Sequence, residues 1–146
     1  MALYVLVVDD DELSRLLVQR ILEGRGIEVC VVSSGGEALG AIDRRRPDLI
    51  VLDVMMPGVN GVDVLDHVKS TPALVSIPVV MLTGRSGDED LLATYRAGAD
   101  YYITKPLVPD ELLHGIALVL GRDVARKAPA LVAPRRPSAT DRRRSR

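Results

Sequence analysis

The chain predicts a three-layer α/β fold, and three observations carry that prediction. Five short runs of apolar, mostly β-branched residues alternate with segments in which apolar residues recur at helical spacing. The strand-like runs, such as residues 3–8 and 48–53, are apolar almost throughout, the pattern of strands buried on both faces of a parallel sheet. Gly, Pro, Ser and Asp punctuate the changeovers. Strand-then-helix units with right-handed crossovers leave few topologies. Periodicity does not choose among strand orders, but five units of this length suit the flavodoxin-like fold: a five-stranded parallel sheet of order 2-1-3-4-5 with five helices.

Residues 3–8 form the first strand and deliver Asp9 and Asp10 at its carboxyl end. Leu13, Leu16, Leu17 and Ile21 then recur at helical spacing as the expected core face of the first helix, which Gly24 or Gly26 stops. Residues 27–32 form the second strand, where the single cysteine, Cys30, is expected as a buried, packed thiol without a disulfide partner. Ser34-Gly35-Gly36-Glu37 has the form of a capping box; the helix it opens continues through Ala38, Leu39 and Ile42 and ends at Arg44-Arg45-Arg46-Pro47. Residues 48–53 form the third strand, which ends on Asp53 and breaks into a loop with Pro57, Gly58, Asn60 and Gly61. Val62, Leu65 and Val68 mark a third helix that must finish before Pro72. Residues 77–82 form a fourth strand ending at Thr83. Ser86-Gly87-Asp88-Glu89 reads as a second capping box, followed by Leu91, Leu92 and Tyr95 on a fourth helix closed by Gly98. Residues 101–104 form the fifth strand, Lys105-Pro106 follow, and the last helix runs from about Pro109 to Leu120 with Gly121 as its stop.

The length, 146 residues, suits one domain with a tail. Its core must be aliphatic, since the chain has no Phe or Trp and only four Tyr. The longest apolar runs fall far short of the ~18 residues that suggest a membrane span. Asp9-Asp10-Asp11 follows the first run where a signal peptide would need small residues, so a cytoplasmic protein is expected. The net charge of −1 conceals an asymmetry: residues 1–121 carry 10 Lys+Arg against 18 Asp+Glu, whereas residues 122–146 carry 9 against 2. The expected organisation is therefore an acidic domain over 1–121 and a basic, Pro/Arg-rich disordered tail over 122–146.

In the order 2-1-3-4-5, strands 1, 3, 4 and 5 are neighbours, and their ends bring Asp9/Asp10, Asp53, Thr83 and Lys105 to the edge where open parallel sheets bind ligands. Taken singly, these residues read as a helix-capping acidic turn, a strand-end hydroxyl and a solvated cation. Together at adjacent strand ends they point to chemistry. Crowded carboxylates repel one another, and Mg²⁺, a hard cation that takes oxygen ligands, removes the conflict. A carboxylate can also act as a nucleophile and form an aspartyl-phosphate, a reaction that needs charge compensation on the phosphoryl oxygens. Lys105 and Thr83 are groups suited to supply it.

The stretches Val7-Val8-Asp9-Asp10-Asp11, Leu52-Asp53-Val54-Met55-Met56-Pro57-Gly58-Val59-Asn60-Gly61, Met81-Leu82-Thr83-Gly84 and Ala97-Gly98-Ala99-Asp100-Tyr101-Tyr102-Ile103-Thr104-Lys105-Pro106 resemble the motifs of response-regulator receiver domains of two-component signalling. The resemblance covers residues 2–121 and is closest in form to single-domain, chemotaxis-regulator-like members. It implies that Asp53 accepts a phosphoryl group from the phosphohistidine of a sensor histidine kinase or histidine phosphotransfer protein. It further implies that Asp9, Asp10, Asp53 and the backbone carbonyl of Met55 hold Mg²⁺, that Thr83 and Lys105 contact the phosphoryl group, and that a Thr83/Tyr102 rotamer switch alters binding to a downstream effector. By the same resemblance, Met55 and Arg85 flank the water path to the phosphoryl group and predict slow self-dephosphorylation. The chain departs from the family in Leu107, where Phe is usual, and in Val108, where a polar cap often opens the last helix.

Two other functions compete. A Mg²⁺-dependent phosphohydrolase with an aspartyl nucleophile needs a second acid two residues after that nucleophile, and here the position is Met55. A nucleic-acid-binding protein could act through the tail, but the tail has no aromatic residue to stack on bases and no recognisable reading helix. A solvated arm or truncated linker is the expected reading, with nucleic acid not expected as a partner. The expectation is thus a phosphoacceptor that catalyses only its own phosphorylation and dephosphorylation. His67 and His114, on predicted helices, share no spacing with a second metal-type ligand and read as surface residues.

Overall fold

A computed structural model describes residues 3–54, 58–84 and 98–121. Among these the chain runs β1 (Tyr4–Val8), α1 (Glu12–Glu23), β2 (Glu28–Val32), α2 (Gly35–Arg44), β3 (Leu49–Asp53), α3 (Gly61–Ser70), β4 (Val79–Thr83), β5 (Tyr101–Thr104) and α4 (Pro109–Leu120). Every strand pair is parallel, and the sheet order is β2-β1-β3-β4-β5, as the sequence predicts. The helix expected after Ser86, the residues Met55 and Arg85, and the tail over 122–146 lie outside the described residues.

Strand alternation divides the core into two layers. Val5, Val7, Leu49, Val51, Val80, Leu82 and Ile103 face Val18 and Leu22 of α1 and Leu112, Leu113 and Ile116 of α4. Their neighbours in sequence, Leu6, Val8, Ile50, Leu52, Val79 and Met81, face Ala38, Ala41 and Ile42 of α2 and Val64, Leu65 and Val68 of α3. The central strands β1, β3 and β4 are buried over their full length, which explains why they lack a polar alternation.

Three expectations need correction. The predicted core face of α1 holds only at Ile21, which packs against the core: Leu13 is 77% exposed, Leu16 42% and Leu17 40%, while Val18 and Leu22 are buried. Two apolar stripes overlap on this helix, whose start is capped by the Asp11 carboxylate accepting from Ser14 N and Oγ. Cys30 is half-buried, because the sheet order leaves β2 at an edge. At α2, Ser34 Oγ caps Glu37 N, but the Glu37 carboxylate accepts from Ser33 N and Oγ, one residue before the N-cap. The reciprocal capping box is at α3, between Asn60 and Asp63. The last helix starts, as expected, without a side-chain cap at Val108.

Two glycines fix where α2 and α3 begin. A Cβ on Gly61 would fall on the Asp53 carbonyl, and one on Gly35 would fall on the Val59 carbonyl. Both helices thereby abut the chain on either side of the β3 end. Gly61→Ala is expected to destabilise the domain by about 2 kcal/mol, the middle of the range for overpacking. Gly36→Ala, which meets nothing within 4 Å, should leave stability unchanged or slightly raised. Urea denaturation of the two variants checks this, and equal midpoints would contradict the close packing.

Candidate functional site

The parallel register sends all strand carboxyl ends to one edge. Asp9 follows β1, Asp53 ends β3, Thr83 ends β4 and Lys105 follows β5. Asp9 is fully buried, Asp53 and Thr83 nearly so, Lys105 half-buried and Asp10 exposed. Alternation decides which of them meet. Asp9 stands two residues after Val7, Asp53 two after Val51 and Lys105 two after Ile103, all on the layer that faces α1 and α4. The Lys105 ammonium accordingly lies 3.0 Å from Asp9 Oδ2 and 3.5 Å from Asp53 Oδ2. Thr83 pairs with Thr104 and Tyr102 with Met81, so Thr83 and half-buried Tyr102 lie diagonally across the β4 and β5 pair on the opposite layer.

Asp11 is spent on capping α1, which leaves Asp9 and Asp10 for the site. Asp9 is held tightly: its N–H donates to the Val32 carbonyl, its Oδ1 accepts from Asp11 N at 2.9 Å, and its carbonyl accepts from Arg15 Nη1 at 2.9 Å. Beside this pair opens a cleft of about 380 Å³ lined by Asp11, Ser14, Gly84, Lys105 and Pro106, with a cis peptide bond between Lys105 and Pro106. Arg15 and Ser14 are the features that sequence reasoning missed, whereas Asp11 does cap the helix, as the acidic turn read singly suggests. A signal for Arg15 was present: a cation within about one turn of a helix N-terminus runs against the macrodipole and calls for a local partner.

The carboxyl edge is electronegative for a structural reason. Every described helix starts there, and the first turns carry Glu12, Glu37, Asp63, Asp110 and Glu111, complementing the helix dipoles. Basic residues gather in last turns instead, at Arg20, Arg44 and Lys69.

A divalent cation fits the residues present. Asp9, Asp10 and Asp53 offer carboxylate oxygens that all lie within 4.8 Å of one another. Asp9 Oδ2 is buried and, its ion pair with Lys105 aside, has no aligned hydrogen-bond donor among the described residues. A hard oxygen-seeking ion such as Mg²⁺ suits such a donor set. His67 is exposed and His114 half-buried on their helices, away from the cluster in sequence and in element.

Burial is the largest single influence on the Lys105 ammonium and pulls its pKa down, but the contact with Asp9 and the charges of Asp53, Asp9 and Asp11 outweigh it and raise the pKa above the ordinary lysine value. A raised lysine pKa contributes stability that is complete below the unfolded-state value and is lost as pH rises through the folded-state one. Asp53→Asn should therefore move the Lys105 titration to lower pH, read from the lysine ε-methylene NMR signals. An unmoved titration would mean that Asp53 does not act on the ammonium in solution.

Known proteins share this architecture and its sequence. The family profile described as response regulator receiver domain matches residues 5–117. The DNA-binding response regulator MtrA of Mycolicibacterium smegmatis is 37% identical over 119 residues, which cover 82% of this chain and 51% of that protein. The phosphate regulon transcriptional regulatory protein PhoB of Escherichia coli is 39% identical over 122 residues, covering 84% of this chain and 53% of that one. This chain thus spans about half the length of these relatives. Among solved structures, the chemotaxis protein CheY4 of Vibrio cholerae superposes with a TM-score of 0.77 at 31% identity, covering 82% of this chain and 99% of that one. The profile match over residues 5–117, which reaches all five strands, together with these relatives, makes this chain a member of the response-regulator receiver-domain family.

Proposed function

We propose that the chain is a phosphorylation-driven switch in which Asp53 accepts a phosphoryl group from the phosphohistidine of a sensor histidine kinase or histidine phosphotransfer protein. The observation that carries this reading is the ammonium of Lys105 set between Asp53 and Asp9 at the mouth of an open cleft. An Asp53 carboxylate oxygen forms the bond to phosphorus while the phosphorus–nitrogen bond breaks. The electron pair of that bond stays on the imidazole, which leaves neutral when its other nitrogen carries a proton. The carboxylates of Asp9, Asp10 and Asp53 and the carbonyl of Met55 are the proposed holders of Mg²⁺, which would offset the charge of the carboxylates and of the transferring phosphoryl oxygens.

Lys105 compensates the developing charge on the same oxygens, and Thr83 donates its hydroxyl to them. Capture of the Thr83 hydroxyl then draws on Tyr102, its diagonal neighbour, and so alters the surface offered to an effector protein. The exposed Leu13, Leu16 and Leu17 ridge on α1 continues from the cleft-lining residues Asp11 and Ser14, and it suits the apolar face of a phosphodonor's helix. The proposed site of action is the cytoplasm. Among the described residues no helix is long and apolar enough to cross a membrane.

A phosphohydrolase is the less favoured reading, because the position two residues after Asp53 is Met55, which carries no acid. A second reading of the output is favoured by the relatives' lengths: residues 1–121 would be the receiver part of a larger DNA-binding regulator, with 122–146 as the start of a linker.

Incubation with acetyl phosphate and Mg²⁺ should add one phosphoryl group to Asp53, located by peptide mass spectrometry. Asp53→Asn should abolish the addition while the fold persists, since the amide is isosteric and relieves carboxylate crowding. Lys105→Ala should still bind Mg²⁺ but slow phosphoryl transfer by on the order of 10²-fold or more, the scale of losing one electrostatic contact to the transition state. Labelling of Asp53→Asn at wild-type yield would sink the assignment. Met55→Asn should shorten the half-life of the phosphorylated protein, because an amide can orient water and a thioether cannot.

A further inference from the structure

We infer that Arg15 is a positioning residue for the Mg²⁺ site, acting through the Asp9–Asp10 peptide it binds. This inference rests on the proposed reading of Asp9, Asp10 and Asp53 as the cation ligands. The acceptor of the Arg15 bond is the main-chain carbonyl of Asp9, which belongs to the peptide plane leading into Asp10. Asp9 itself is anchored at its N–H and at Oδ1. Asp10, by contrast, is exposed, and among the described residues its carboxylate makes no hydrogen bond or ion pair. Its direction therefore follows the backbone, which the Arg15 guanidinium holds at the Asp9–Asp10 peptide and the Asp11 N–H bond to Asp9 Oδ1 holds on the other side. With the plane released, the Asp10 carboxylate would leave the group of oxygens that now lie within 4.8 Å of one another.

Arg15 is itself fixed in place. Its N–H closes the first turn of α1 on the Asp11 carbonyl at 2.9 Å, so the cap and the clamp share one backbone. Its charge also reaches the start of α2: the Glu37 carboxyl is held below its usual range first by the Ser33 backbone and hydroxyl bonds and further by the Arg15 charge. The side chain lines an open groove of about 250 Å³ with Glu12, Leu16, Gln19 and Val31. Truncating it therefore opens no cavity in the core.

Charge and geometry make opposite predictions, which is what makes the inference testable. Arg15 is a permanent cation close to a cation site, and deleting it on Coulomb grounds alone would tighten Mg²⁺ binding. Loss of positioning would weaken it, and removing an outer partner of a metal ligand typically costs 10–100-fold in affinity. The experiment titrates the 146-residue chain with MgCl₂ at constant ionic strength, following backbone amide NMR signals of residues 9–11 and 53, with urea denaturation as the stability control. Arg15→Ala is expected to weaken binding by about tenfold. Arg15→Lys keeps the charge but not the planar fork and should fall between the two. Arg20→Ala, which removes the same charge from the far end of α1, should leave the affinity unchanged.

Wild-type or tighter binding in Arg15→Ala would overturn the inference while leaving the site reading intact. Should Arg15→Ala not fold, the decision passes to Arg15→Lys, in which undiminished affinity overturns the inference. If the wild type itself bound Mg²⁺ no better than Asp53→Asn does, both the site reading and the inference would fall.

Discussion

The arrangement at the carboxyl edge of the sheet depends on one ammonium group standing between two carboxylates, Lys105 at 3.0 Å from Asp9 and 3.5 Å from Asp53. Asp9 is fully buried, and a buried charge is tolerated only when paired or coordinated. The pairing needs β1, β3 and β5 to end at the same level with the same side-chain phase, although β4 separates β3 from β5. Only a parallel sheet with matched register does this, because a slip of one residue would turn every side chain of a strand to the other layer. The core and the site are thus consequences of a single set of strand registers.

Electrostatics follow from the same topology. Since the strands run parallel and each described helix returns against them, helix N-termini gather beside the acidic cluster. First-turn acids that complement the dipoles then surround the site with negative charge. That field favours a cation at the carboxylates, and among the described residues Lys105 and Arg15 are basic groups that reach in with defined partners. At the β1 end the three acids divide their roles, Asp9 buried, Asp10 exposed and Asp11 spent on capping, with Arg15 bonded to the Asp9 carbonyl.

Much of this was legible along the chain. β5 and α4 fall where the composition of residues 101–104 and the Pro109 to Gly121 bracket place them. β3 ends on Asp53 because its apolar run stops there. Helix α1 shows where legibility ends. Its Leu13, Leu16 and Leu17 spacing satisfies the helical period as well as Val18 and Leu22 do, and nothing local says which stripe turns inward. Cys30 is a similar case: a β-branched apolar run looks the same in a central strand and an edge strand, and only the sheet order makes β2 an edge.

By itself the sequence determined the number and direction of the strands and the residue types at their ends, because apolar runs, turn residues and capping residues act locally. Asp9, Asp10, Asp53, Thr83 and Lys105 could be picked out as one set on that basis. Tertiary structure decided how the set divides. Register brought Lys105 onto the layer of Asp9 and Asp53 and put Thr83 with Tyr102 on the other, and the helix cap assigned Asp11 away from the cluster. It also decided that a guanidinium six residues on should hold the Asp9 carbonyl. The strand registers join segments far apart in the chain, and no local pattern encodes them until the core has packed; the Asp11 cap and the Arg15 bond span only three and six residues and left a trace in the sequence.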